Sequence, residues 1–122
     1  MSTNEANKPV VWLGNSIDEL RKFPDEVQDE MGYALYQAQI NKKHPNAKPL
    51  KGFKGAGVLE IVDNYDRDTY RTVYTVKLAG VVYVLHAFQK KSKKGIATPP
   101  KDIELIKTRL KLANETHKSN QK

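Results

Sequence analysis

The sequence predicts an α+β domain in which helices pack on one twisted sheet. Two patterns carry that prediction. Three strand-like runs follow one another between Val58 and Phe88 with only short turns between them, which reads as an antiparallel meander. The flanking segments instead repeat apolar residues at the helical period. The predicted order is β-α-α-β-β-β-α: an N-terminal strand and helical hairpin, a three-stranded meander, and a C-terminal helix.

Residues 1–8 are polar and expected to be disordered. Val10 to Leu13 form a short apolar run that suits a first strand, placed to pair with an edge of the meander. Asn15 or Ser16 offers a helix cap, and Glu19 stands where a capping box requires it. Ile17 and Leu20 open a helical face that Pro24 interrupts. Pro24 then suits the start of a second helix, with Asp25 and Glu26 complementing its N-terminal dipole. Val27, Met31, Ala34, Leu35 and Ala38 line one side of that helix. Two prolines and three glycines between His44 and Gly57 read as a loop.

Val58 to Asn64 is a strand, Asp63 to Asp68 a polar hairpin turn, and Thr69 to Leu78 a second strand rich in β-branched and aromatic residues. Ala79-Gly80 turns the chain into the last strand, Val81 to Phe88. A lysine-rich loop follows over 90–98. Pro99 or Pro100 starts a final helix to Asn114, with Ile103, Ile106, Leu110 and Ala113 along one side. Residues 115–122 are expected to be a disordered tail, which leaves one domain over 9–114.

Composition narrows the function classes. The chain of 122 residues has no cysteine, so it holds neither a disulfide framework nor a thiolate metal site. No apolar run is long enough to span a membrane, and MSTNEANKP lacks the apolar core of a signal peptide, so a cytoplasmic protein is expected. The net charge is +7. Its distribution matters more than its size. Residues 1–36 hold seven acids and three bases, whereas 42–55 and 89–101 each hold five lysines and no acid. Two distant basic clusters that meet in the fold make a field suited to a polyanion such as RNA; left apart, they are solvated loops.

Arg71 is the leading candidate within that field. Along its strand Tyr70, Thr72, Tyr74 and Val76 share one face, and Arg71, Val73, Thr75 and Lys77 the other. With the tyrosine face in the core, Arg71 points into the basic concavity, or pairs on the surface with Glu60 or Asp68. Lys90 and Lys91 follow the last strand and suit phosphate contact, or act as solvated gatekeepers of a strand end. Lys93 and Lys94 suit RNA-backbone steering. Lys48, Lys51 and Lys54 line the long loop and either border an RNA site or stay in solvent. His86 is the sole histidine inside a predicted strand; it alternates with Val84 and Phe88 and serves either proton transfer or the core. Glu60 is a second candidate base, or a partner for Arg71. His44 and His117 fall in a loop and the tail, and the three histidines make no metal-ligand spacing.

Several pieces, in this order and spacing, resemble the RelE/HigB-type toxins of bacterial toxin–antitoxin modules. They are Trp12 with NSIDEL from Asn15, FPDEV from Phe23, KPLKGF from Lys48, GVLEI from Gly57, YRTVY from Tyr70, VYVLHAFQKKS from Val82 and PPKDIE from Pro99. Together they cover roughly residues 10–110. The resemblance implies a RelE/ParE-like fold with a basic concave face and a metal-independent endoribonuclease that cleaves messenger RNA on the ribosome, with no cofactor. It also implies a cognate antitoxin carrying a helix-turn-helix DNA-binding domain, and a toxin that is a monomer when free. In the RelE group an arginine at the place of Arg71 contacts the scissile phosphate, and basic residues at the place of Lys90 and Lys91 support the transition state.

The departures are specific. RelE itself carries two lysines on the strand that here holds Glu60 and Val62, and a catalytic tyrosine after the basic loop; SKKGIATPPK over 92–101 has none. The chain is more similar to the HigB-like, phage-derived branch. ParE toxins share the fold and block DNA gyrase without cleaving RNA, which is the alternative function, as is a catalytically weak RNA-binding protein.

Overall fold

The computed structural model describes residues 7–53, 55–90 and 98–120. Strand β1 (Val10–Trp12) leads into helices α1 (Ser16–Leu20) and α2 (Asp25–Gln39). Strands β2 (Ala47–Pro49), β3 (Val58–Tyr65), β4 (Asp68–Thr75) and β5 (Val82–Lys90) follow, and α3 (Pro100–Asn120) closes the order. The sheet runs β1-β5-β4-β3-β2. β1 joins the meander edge in parallel, with Val10 opposite Val82, while the other pairs are antiparallel.

Both faces of this sheet are covered. On one, Leu20, Phe23, Val27, Met31 and Leu35 from the helical hairpin meet Ile61, Tyr70, Tyr74, Val82 and Val84. On the other, Ile106 and Ala113 of α3, with Leu50 and Phe53 of the β2–β3 connection, meet Val58, Val73, Tyr83 and Leu85. The tyrosine side of β4 is core as expected, but Val73 on the opposite side is fully buried too. α3 is the reason: its apolar stripe needs a partner, and the second face of the sheet supplies it.

The chain departs from the sequence expectations in several places. The loop read over 44–57 contains β2, which pairs Lys48 with Glu60 and makes a fifth strand. Three residues around one proline are too short a run to register as a strand pattern. The capping box at α1 does not form; Asn15 gives no side-chain cap and its Oδ1 instead accepts from Arg109 Nη2 at 2.9 Å. The final strand reaches Lys90, so that lysine is part of β5 rather than of the loop after it. Lastly, the tail expected from residue 115 is helical as far as Asn120. His117 is buried there, its ring edge-on to Tyr83 with Nδ1 3.3 Å from the phenol oxygen.

One irregularity positions the site. Val73 pairs with His86 but Tyr74 pairs with Val84, so Leu85 is an extra residue in β5, a β-bulge. The bulge breaks the alternation read from the sequence. Val84 faces the α2 side, while Leu85 and Phe88 belong to the α3 side, where His86 stands opposite Val73. The Leu85 carbonyl accepts from Arg109 Nη1 at 2.9 Å, so α3 holds the bulge. Gly14 makes room for that guanidinium: its φ is +55°, and a Cβ there would lie 2.5 Å from Arg109 Nη2.

Removing residues 115–122 takes His117 from Tyr83 and opens the second core. The expected loss is roughly 1–3 kcal/mol of unfolding free energy, read as a lower denaturant midpoint at an unchanged slope.

Candidate functional site

The register lays the candidate residues in three rows across the α3 face of the sheet. The first row runs Lys48, Glu60, Val73, His86. The second runs Val62, Arg71, Phe88, and the third Asn64, Thr69, Lys90. Residues paired across a sheet point to one side, so Glu60, Arg71, His86 and Lys90, widely separated in sequence, share one surface.

Arg71 Nη1 donates to Glu60 Oε1 at 2.9 Å. The Arg71 side chain is 15% exposed and that of Glu60 6%, so this is a largely buried ion pair. Lys48 Nζ stands 4.0 Å from the second Glu60 oxygen, with most of its side chain in solvent. Of the two partners expected for Arg71, Glu60 is the one it meets, in a pair that is largely buried rather than on the surface. Arg71 Nε is buried without a hydrogen-bond partner among the described residues. Part of this guanidinium's donor capacity is unspent, which costs free energy unless an acceptor arrives.

Lys90 is electrostatically part of the same group. Burial pushes its ammonium below the usual lysine range, and the Arg71 charge adds to that; Asp102 and Glu60 act in the opposite direction. Two cations thus share one surface, with carboxylates beside them.

His86 Nε2 lies 2.8 Å from Asp102 Oδ1, in the first turn of α3. Its ring stacks on Phe88 with centroids 4.8 Å apart. Nδ1 is buried without a partner among the described residues. A carboxylate accepts, so Nε2 carries the proton it donates. Both nitrogens therefore face protein, and the histidine ties α3 to β5 at the border of the cationic surface. Asp102 is the site residue that sequence reasoning missed. An acid in the first turn of a helix reads as a dipole complement, and nothing in its spacing couples it to a histidine sixteen residues earlier.

Lys51 is exposed in the β2–β3 connection, and no ion pair joins it to Glu60 or Arg71 among the described residues. Lys54, Lys91, Lys93 and Lys94 lie outside the described residues. Asp68, the other partner considered for Arg71, accepts from Gln89 Nε2 at 2.7 Å. His44 is a buried structural residue, bonded to Glu30. Among the described residues no histidine or carboxylate cluster can hold a metal, and no helix is long and apolar enough to cross a membrane.

A family model described as phage-derived protein Gp49-like (DUF891) matches residues 18–111. No curated protein matches the chain. A solved structure of the E. coli toxin RelE, a double arginine-to-alanine mutant in the free state, aligns with a TM-score of 0.51 at 20% identity. The alignment covers 73% of this chain and 87% of that one, and it establishes the RelE-type fold.

The Lys90 proton tests the geometry. A lowered lysine pKa means the folded chain binds this proton less tightly than the unfolded chain, so the resulting penalty on folding is relieved as pH rises through the folded value towards 10.5. Arg71→Gln removes a like charge and frees the Glu60 carboxylate, so the Lys90 pKa should move upward in an NMR titration of the lysine ε-carbons. An unmoved value would mean that the two cations are not neighbours.

Proposed function

The chain belongs to the Gp49-like family of phage-derived proteins, and from that footing we propose that it is the toxin of a toxin–antitoxin pair, a metal-independent endoribonuclease that cuts messenger RNA on the ribosome. The observation that carries this reading is the meeting of Arg71 and Lys90 on one face of the sheet beside the buried Glu60 carboxylate. The RelE-type fold and the name of the similar solved toxin support it.

In the proposed reaction the RNA's own 2′-oxygen attacks the adjacent phosphorus and the bond to the 5′-oxygen breaks. Arg71 turns its unpaired donor edge to the phosphate and stabilises the added charge. Glu60, relieved of part of its pairing as Arg71 engages the phosphate, takes the 2′-hydroxyl proton. Lys90, whose lowered pKa makes its ammonium a better acid, supplies the proton to the leaving oxygen. Lys91, Lys93 and Lys94 extend the field that holds the RNA backbone, with Lys48 bordering it on the β2 side. His86 contributes by fixing α3 through Asp102 rather than by carrying a proton itself. The partner is an antitoxin with a helix-turn-helix DNA-binding domain, and the free toxin is a monomer in the cytoplasm.

Pulse expression followed by primer extension on translated messages tests the assignment. Wild-type protein should arrest growth and leave discrete cuts. Arg71→Ala should lower cleavage by about 10²–10³-fold, the scale of losing one charge-stabilising donor, with an unchanged circular dichroism spectrum. Undiminished cutting by a folded Arg71→Ala protein would overturn the proposal. Arrest with a DNA-damage response and intact messages would instead identify a gyrase inhibitor.

A further inference from the structure

β3 runs on to Tyr65, but its pairing with β2 stops at Ile61 opposite Ala47. Beyond that point the outer edge of β3 borders an open pocket of about 480 Å³, lined by Pro45, Asn46, Lys48, Val62, Asp63 and Asn64, with Ala47 at the end of the pairing. Val62 stands directly opposite Arg71, and Asn64 shares a row with Lys90 through Thr69. Val62, Asn64 and Lys48 thus stand on the face that carries Arg71 and Lys90, and Lys48 Nζ lies 4.0 Å from Glu60, so the pocket borders the cationic surface at the sheet edge. Neighbouring strands lie about 4.8 Å apart, so two spacings put it roughly 10 Å from the Arg71 backbone. A ribose bridges such a gap between a phosphate and its base.

The chemistry of the lining selects among ligands. Asp63 puts a carboxylate in the lining, which works against a second phosphate. An anion placed beside it would meet repulsion. Pro45, Ala47 and Val62 give apolar walls, while Asn46, Asn64 and Lys48 bring donors and Asp63 an acceptor. Small apolar walls with mixed donors and acceptors around them can seat a nucleobase by its edge.

The backbone of Asn46 and the side chain of Asn64 are set in advance. The Asn46 backbone N–H donates to His44 Nδ1 at 2.9 Å, and His44 is itself buried and held by Glu30. The Asn46 side-chain amide makes no hydrogen bond among the described residues and is exposed at the pocket. Asn64 Oδ1 accepts from Thr69 Oγ1 at 2.9 Å, which fixes that amide and leaves its NH₂ group to donate elsewhere.

We infer that this pocket reads the base of the nucleotide next to the phosphate held by Arg71, with Asn46 and Asn64 setting the base preference. The inference rests on the RNA reading above. Arg71 and Lys90 bind every sequence alike, because phosphates carry no base information; the asparagine amides discriminate.

Four non-cleavable 2′-O-methyl tetranucleotides, differing only in one base next to the central phosphate, serve as probes for the intact protein. Binding is followed at low salt by NMR shifts of the asparagine side-chain amides. Wild-type protein should prefer one base on the order of fivefold over the weakest, the lower range for a good amide–base pair. Asn46→Ala should compress that spread at least twofold. Asn64→Ala should do the same, and Asn46→Ala, which removes no internal bond, carries the test alone if loss of the Thr69 contact disturbs the hairpin. Arg71→Ala should instead weaken all four probes equally. Equal binding of all probes by the wild type, or an unchanged spread in Asn46→Ala, would overturn the inference. If Arg71→Ala bound every probe as the wild type does, the phosphate reading would fail instead.

Discussion

A guanidinium and a carboxylate 2.9 Å apart on adjacent central strands govern how charge is arranged in this protein. Taking two such groups out of water is costly, and their attraction offsets that cost only when the geometry is good and the remaining polar atoms are satisfied. Here the arrangement is incomplete by one donor, the Arg71 Nε. Replacing the pair by hydrophobic residues would serve stability as well or better. On a sheet otherwise filled with valine, tyrosine and leucine, the pair is the place where charge enters the strands, and it accords with the anion-binding role proposed for Arg71, with Glu60 neutralising the cation until an anion arrives.

That arrangement depends on how the second face of the sheet is covered. α3 seals the part of the face holding Val58, Val73, Tyr83 and Leu85. Its first turn reaches His86 through Asp102, and the sheet beyond that bond carries Arg71 and Lys90. Core and site are thus consecutive stretches of the same strands, divided at the row that holds Val73 and His86. A side chain such as Phe88, stacked on His86 and opposite Arg71, belongs to both.

Much of this was legible in the sequence because it follows from period. The 3.6 spacing from Val27 to Ala38 and the alternation of Tyr70, Thr72 and Tyr74 placed helix α2 and the core face of β4 correctly. The order of the strands gave the meander, and the aromatic–arginine alternation put Arg71 on the face opposite the tyrosines. What was not legible depends on single insertions and long-range partners. One extra residue at Leu85 moves His86 off the face that carries Val84, and no composition rule announces a bulge. β2 is too short to show a pattern, and Asp102 acquires its role only through a residue on another element. The last turns of α3 look polar enough to fray, yet one histidine against Tyr83 gives them a contact to keep.

Arg109 joins features that otherwise have little in common: it donates to the Leu85 carbonyl at the bulge and to Asn15 beside α1, through space that Gly14 leaves open. A methyl group at position 14 would press on the guanidinium and, through it, on the kink that turns His86 towards Asp102. The bond between His86 and Asp102, at the border of the cationic rows, is consequently hostage to a residue without a side chain in the first tight turn of the chain.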